Sequence, residues 1–204
     1  MKKIMLLSSA LLVALQSFSQ DNSLVADATG SKANEPVSST ATYSANPDIS
    51  NSSSMVWQVI EKGLQLDKAS DYPAAIKEFD KAIEMNEDLA EAWDYRAVTS
   101  IKMGKYRKAL KDLEEAIDIN PGFTEAYNHL GVANYWLSNY PEAIAYYTRA
   151  ISLQPTYGTP YFNRAIVYLA LEDNDNAYRD LLKARELKCE GVDSVIKEFF
   201  ADKK

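Results

Sequence analysis

Cysteine and histidine are almost missing from this chain: among 204 residues there is one of each, Cys189 and His129. A lone cysteine excludes an intramolecular disulfide and any multi-thiolate metal site. A lone histidine leaves a zinc enzyme without its usual ligand set. Neither residue has a nucleophile or third ligand near it in the sequence, so no metal, no cofactor and no catalytic residue is expected, and the chain reads as a non-enzyme. Glycine and proline number seven each, too few for an all-β or loop-rich protein. Excess positive charge is missing as well. The net charge is −7, and −9 once Lys2 and Lys3 are removed with the leader described next. An acidic domain without a basic stripe is repelled by phosphate backbones, so nucleic acid is not an expected partner. The same sign opposes attachment to an anionic membrane surface.

Long apolar runs are also scarce. Ile4 to Leu15, interrupted by Ser8 and Ser9, follows Lys2 and Lys3 and precedes Ser17-Phe18-Ser19. Positive n-region, apolar h-region and small residues at the first and third places are the parts of a secretory signal, with cleavage expected before Gln20. The alternative, an uncleaved anchor, needs more length: this run spans about 18 Å as a helix against a hydrocarbon core of ~30 Å. No cysteine stands directly after the run, which on this reading excludes a lipid-anchored lipoprotein. The chain is therefore expected to be exported, periplasmic or secreted, with no membrane span after cleavage. Residues 20–55 are rich in Ser, Thr and Asn and show no apolar periodicity. Such a stretch cannot offset its ordering entropy by burial, and a flexible tether is expected there.

What the chain does have is 47% apolar residues and a period. From Val56 the sequence repeats every 34 residues as 56–89, 90–123, 124–157 and 158–191, and such repeats signal stacked helical units. The eighth residue of each block is small (Gly63, Ala97, Gly131, Ala165). The twentieth is alanine (Ala75, Ala109, Ala143, Ala177), and so is the twenty-seventh (Ala82, Ala116, Ala150, Ala184). The twenty-fourth is bulky (Phe79, Leu113, Tyr147, Leu181). Two antiparallel helices approach closely only where one offers Gly or Ala, and a large side chain must fill the space beside that contact. Tyr72-Pro73 and Tyr140-Pro141 open second helices after the candidate caps Asp71 and Asn139, while Asn120-Pro121 and Gln154-Pro155 close them. Beyond the last block, Val192, Val195, Ile196, Phe199 and Phe200 form one apolar stripe. Residues 192–204 are thus expected to be a capping helix over the exposed end of the stack.

With Trp93, Tyr127 and Tyr161 at the fourth place of their blocks and Pro121 and Pro155 at the thirty-second, the pattern resembles the tetratricopeptide repeat (TPR). Val59, Glu87 and Cys189 depart from it, mainly in the terminal blocks, where atypical residues are expected. The resemblance implies an all-α fold: a right-handed TPR superhelix of four helix-turn-helix repeats plus the C-terminal capping helix. It also implies a concave groove lined by the first helix of each hairpin, at the second, fifth, ninth, twelfth and thirteenth places. In this chain those places hold Trp57, Ile60 and Leu64; Glu91, Asp94, Val98, Ile101 and Lys102; Glu125, Asn128, Val132, Tyr135 and Trp136; and Phe162, Ile166 and Leu169. Packing is the plain reading of Val132, Ile166 and Leu169, whereas Trp57, Trp136 and Phe162 read equally as packing residues or as anchors for a ligand. Asn128 is the polar candidate, since an amide can bond both sides of an extended peptide.

Chaperone-adaptor TPRs bind a C-terminal carboxylate through Lys, Asn and Arg. The matching places hold Ile60, Leu64, Tyr95, Glu125 and His129, so that clamp is not expected. His129 reads as an exposed or groove-wall histidine beside Glu125, and Cys189 as a small packing residue, with an intermolecular disulfide as its alternative. The implied function is non-catalytic binding of a protein or peptide: an adaptor in the cell envelope taking an apolar or basic segment to suit Glu91, Asp94 and Glu125. The alternatives are a self-associating homo-oligomer and, through Tyr135, Trp136 and Phe162, an envelope-glycan-binding module.

Overall fold

The computed structural model describes residues 47–201. The expected signal segment, its cleavage point and the tether up to residue 46 lie outside them, as do the last three residues. Nine helices follow one another within the described residues. They are α1 (Pro47–Lys68), α2 (Tyr72–Met85), α3 (Ala90–Lys102), α4 (Tyr106–Ile119), α5 (Thr124–Trp136), α6 (Tyr140–Leu153), α7 (Gly158–Ala170), α8 (Asn174–Glu186) and α9 (Val192–Phe199). They pack as consecutive hairpins α1/α2, α3/α4, α5/α6 and α7/α8, each second helix leaning on the first helix of the next hairpin. The result is the expected all-α solenoid. The first helices also touch one another along the row, more closely than the second helices do, so the stack curves toward the first-helix side.

The size rule read from the sequence is visible as contact. A Cβ placed on Gly63 would lie 2.6 Å from Phe79 Cε1, and one on Gly131 only 2.4 Å from Tyr147 Cε1. In these two hairpins the ring occupies the space a methyl group would need. The other two use Ala97 with Leu113 and Ala165 with Leu181, all four fully buried. A glycine is matched to an aromatic ring and an alanine to a leucine, so the summed volume at the crossing stays nearly constant. Every turn from first to second helix carries one residue at positive φ: Ser70, Gly104, Ser138 and Glu172.

Asp71 caps α2 as expected, accepting a hydrogen bond from the Ala74 amide at 3.3 Å. Asn139 does not cap α6: its Nδ2 donates instead to Asn134 Oδ1 at 3.2 Å, tying the turn to α5. Asp173 caps α8 through the Asn176 amide. At the end of the stack, Val192, Val195 and Phe200 join Phe162, Ile166, Leu169 and Leu181 in one buried cluster, so α9 covers the last hairpin. The first helix differs from its expected bounds. It starts at Pro47, inside the stretch read as a tether, with proline in the first turn where its missing N–H costs nothing.

The Gly–aromatic match yields a double-variant prediction. Gly131→Ala gains helix propensity, up to about 1 kcal/mol, but drives a methyl group into Tyr147, at a cost of about 1–3 kcal/mol. A net loss of roughly 1–2 kcal/mol is expected by the same reckoning. Adding Tyr147→Leu recreates the Ala–Leu pair of the neighbouring hairpins and restores the melting temperature toward wild type. A double variant no more stable than Gly131→Ala would contradict the size match.

Candidate functional site: the face lined by the first helices

The expected ligand positions divide by burial. Ile60 and Phe162 are fully buried, and Asp94, Val98 and Asn128 nearly so. This corrects their assignment as groove contacts: Ile60 packs in the cluster of the first hairpin and Phe162 in the cluster that α9 closes, while Asp94 and Asn128 bond to the next repeat. Trp57 is 42% exposed at the start of the row. Tyr135 and Trp136 are half-buried. The Trp136 ring lies parallel to Tyr106 of the preceding hairpin, with centroids 5.7 Å apart and planes 3° apart, and meets Tyr135 edge-on. Tyr135 in turn contacts Tyr140.

The polar residues on this face bond to each other across the repeats. Nδ1 of His129 donates to Asp94 Oδ1 at 2.6 Å, since a carboxylate can only accept. His129 therefore pairs with the previous first helix. Asn163 Nδ2 donates to Asn128 Oδ1 at 3.0 Å. Asp67 accepts from Lys102 Nζ and, at 3.0 Å, from Thr99 Oγ1. The Asp67–Lys102, Asp94–His129 and Asn128–Asn163 pairs are each separated by 35 residues, one more than the repeat. Asn128 is thus a link in the stack. Its Nδ2 has no partner among the described residues, yet it is too deeply buried to meet a peptide.

Three carboxylates gather round the half-buried Tyr95. Burial, then the charges of Asp94, Glu91 and Glu125, push its hydroxyl from an ordinary 10.0 up to about 12. Glu91 and Glu125 stand at the first turns of α3 and α5, half-buried and exposed respectively. This end of the face is a negative rim around an aromatic surface.

Sequence reasoning missed a second set of polar contacts. Arg96 forks onto Asp112 (Nε–Oδ2 3.0 Å, Nη2–Oδ1 2.8 Å) and reaches Asp80 of the preceding hairpin at 2.7 Å. Arg164 repeats the fork on Asp180 and reaches Thr148. Lys62 pairs with Glu78 at the same sixteen-residue offset. The signal was present in the sequence as a charged pair sixteen residues apart in three of the four blocks. No group of three or more His, Cys, Asp or Glu able to hold a metal occurs among the described residues, and no described helix is long and apolar enough to cross a membrane.

Comparison with known proteins agrees with this architecture. Residues 90–123 and 124–157 each match the tetratricopeptide repeat family model, at the block boundaries read from the sequence. The two central hairpins are TPR repeats. No curated protein matches the chain. Among solved structures, a thermophilic TPR protein of Thermus thermophilus is similar at 22% identity and a TM-score of 0.65, over 71% of this chain and 83% of that one. MamA from Desulfovibrio magneticus RS-1 is similar at 22% identity and a TM-score of 0.59, over 65% and 75%. The first TPR of Spaghetti (RPAP3), bound to the HSP90 peptide SRMEEVD, is similar at 25% identity and a TM-score of 0.55, over 57% and 93%.

Two half-buried tyrosines set an alkaline limit. Tyr95 and Tyr135 are both raised to about 12, Tyr135 by burial and then by Tyr140. A raised folded value means the neutral form is favoured by the fold. The stability this supplies is complete below the ordinary value of 10.0 and is lost as pH climbs toward about 12. The melting temperature should fall steeply across that window, and Tyr95→Phe/Tyr135→Phe should flatten the fall. An unchanged slope in the double variant would show that other groups control it.

Proposed function

We propose that this protein is a non-catalytic TPR scaffold that binds a protein or peptide on the first-helix face, taking an extended or helical segment that is apolar and basic. The observation that carries the reading is the negative rim of Glu91 and Glu125 around half-buried Tyr95, with exposed Trp57 at the head of the row. Positive side chains of a ligand meet the carboxylates, and its apolar side chains meet Trp57 and the half-buried Leu64 and Tyr95. A related fold is known with a peptide bound, which supports peptide binding as the use of this one. The places that would clamp a terminal carboxylate hold Ile60, Leu64, Tyr95, Glu125 and His129, so the ligand here is of opposite sign. The scaffold is exported, on the strength of Lys2, Lys3 and the Ile4–Leu15 run, and works in the periplasm or outside the cell. Fractionation of a tagged full-length chain tests this part, and intact Met1 on the cytoplasmic protein would contradict it.

Binding is tested by titrating mature protein with a peptide of alternating lysine and leucine. Glu91→Gln/Glu125→Gln should weaken it about 5- to 30-fold, two rim charges at about 0.5–1 kcal/mol each. The salt dependence should shrink with it. Trp57→Ala should weaken binding without changing that dependence. Unaltered affinity in both variants would remove the first-helix face as the site.

A further inference from the structure

The overall negative charge conceals one concentrated positive patch. Lys105, Arg107, Lys108 and Lys111 are all exposed at the start of α4, and none of them makes an ion pair or side-chain hydrogen bond among the described residues. The repeat does not call for the first three of them, and only the place of Lys111 is basic in other hairpins. The corresponding places hold Asp71, Pro73, Ala74 and Lys77 in the first hairpin, Asn139, Pro141, Glu142 and Ala145 in the third, and Asp173, Asp175, Asn176 and Arg179 in the fourth.

Nor does stability call for them. Positive charge at a helix N-terminus opposes the macrodipole, and α4 is charged backwards along its length: Arg107, Lys108 and Lys111 come first, Glu114, Glu115 and Asp118 last. Arg107 and Lys111 stand four residues apart, a repulsive spacing for like charges. Lys105 occupies the cap and supplies no side-chain cap. Its backbone (φ −89°, ψ 55°) is close to that of the capping residues Asp71 (φ −84°, ψ 67°) and Asp173 (φ −82°, ψ 75°), so the backbone leaves room for an aspartate there. A cap and a favourable dipole have both been given up in one hairpin. Beside the cations sits Tyr106, the first residue of α4, half-buried and stacked on Trp136, with Tyr135 and Tyr140 adjoining.

We infer that this patch is a second docking surface, for an acidic polypeptide segment carrying an aromatic or apolar side chain. Four free cations complement carboxylates, and the tyrosine–tryptophan cluster offers an apolar shelf beside them. A nucleic acid fits less well, because Glu114, Glu115 and Asp118 follow on the same helix and would face an extended phosphate chain. A membrane fits less well, because the large exposed apolar side chains, Met55, Trp57, Met85 and Leu171, are elsewhere. The patch lies at the far end of α3 from Glu91, about 20 Å away by helix rise. It therefore stands or falls separately from the acidic rim.

The test uses the mature full chain and a short polyglutamate peptide with one central tryptophan, in low and physiological salt. Wild type binds it, more weakly as salt rises. Arg107→Gln/Lys108→Gln/Lys111→Gln, which keeps the side-chain stems, weakens binding at least about tenfold with a melting temperature unchanged or raised. Lys105→Asp likewise weakens binding while raising the melting temperature. The inference is overturned if wild type ignores the peptide, if the triple variant binds it equally, or if that variant melts lower, which would make the cations structural. Patch-dependent binding of single-stranded DNA or phosphatidylserine vesicles in preference to the peptide, or patch-dependent self-association, overturns the assigned partner.

Discussion

In each hairpin the first helix must come close enough to the second for a side chain at one crossing to fill the gap left by the absence of one on the other. Gly63 under Phe79 and Gly131 under Tyr147 make this crossing with a ring on bare backbone. Ala97 with Leu113 and Ala165 with Leu181 make it with a smaller group against a methyl. Because the pair volume is held, the hairpins keep nearly the same shape and can stack without accumulating mismatch. Ala82, Ala116, Ala150 and Ala184, all fully buried, continue the close approach one turn further on.

Stacking then decides which residues remain for a ligand. Once the first helices lie side by side, the fifth place of one faces the sixth place of the next, and the pair bonds: Asp94 to His129, Asn128 to Asn163. The floor of the first-helix face is spent on holding the solenoid together. Buried polar links of this kind also fix register, since a shifted repeat would strand each partner. What remains accessible is the edge: Trp57, Glu91 and Glu125 at one end of the helices, the Tyr106–Trp136 cluster and the free cations at the other.

The repeat period, the limits of the two central blocks, the Asp71 cap and the terminal stripe were legible in the sequence because each depends on neighbours within a hairpin or on one helix. The face was less legible. Ile60, Val98 and Phe162 satisfy a positional rule for ligand contact, but whether a position is open depends on a helix 35 residues away and, for Phe162, on α9. Asn128 was read as a free amide for the same reason. The Arg96–Asp112 and Arg164–Asp180 forks were available as charge pairs sixteen residues apart, but attention to apolar places hid them. Averaging charge over the chain likewise hid Lys105 to Lys111. The start of α1 at Pro47 was obscured by the Ser- and Asn-rich composition of the stretch.

A scaffold of this design works by presenting fixed side chains on a preorganised surface, so that docking orders little of the protein itself. The central claim for the basic, apolar ligand is that its contact belongs to the accessible edge of the first-helix face and not to the buried floor or the second helices. Amide chemical-shift mapping of isotope-labelled protein with the lysine–leucine peptide tests this most directly. The account predicts shifts centred on Trp57, Glu91, Tyr95 and Glu125, fading along α7. Shifts concentrated on α2, α4 and α6, or none at saturating peptide, would contradict it.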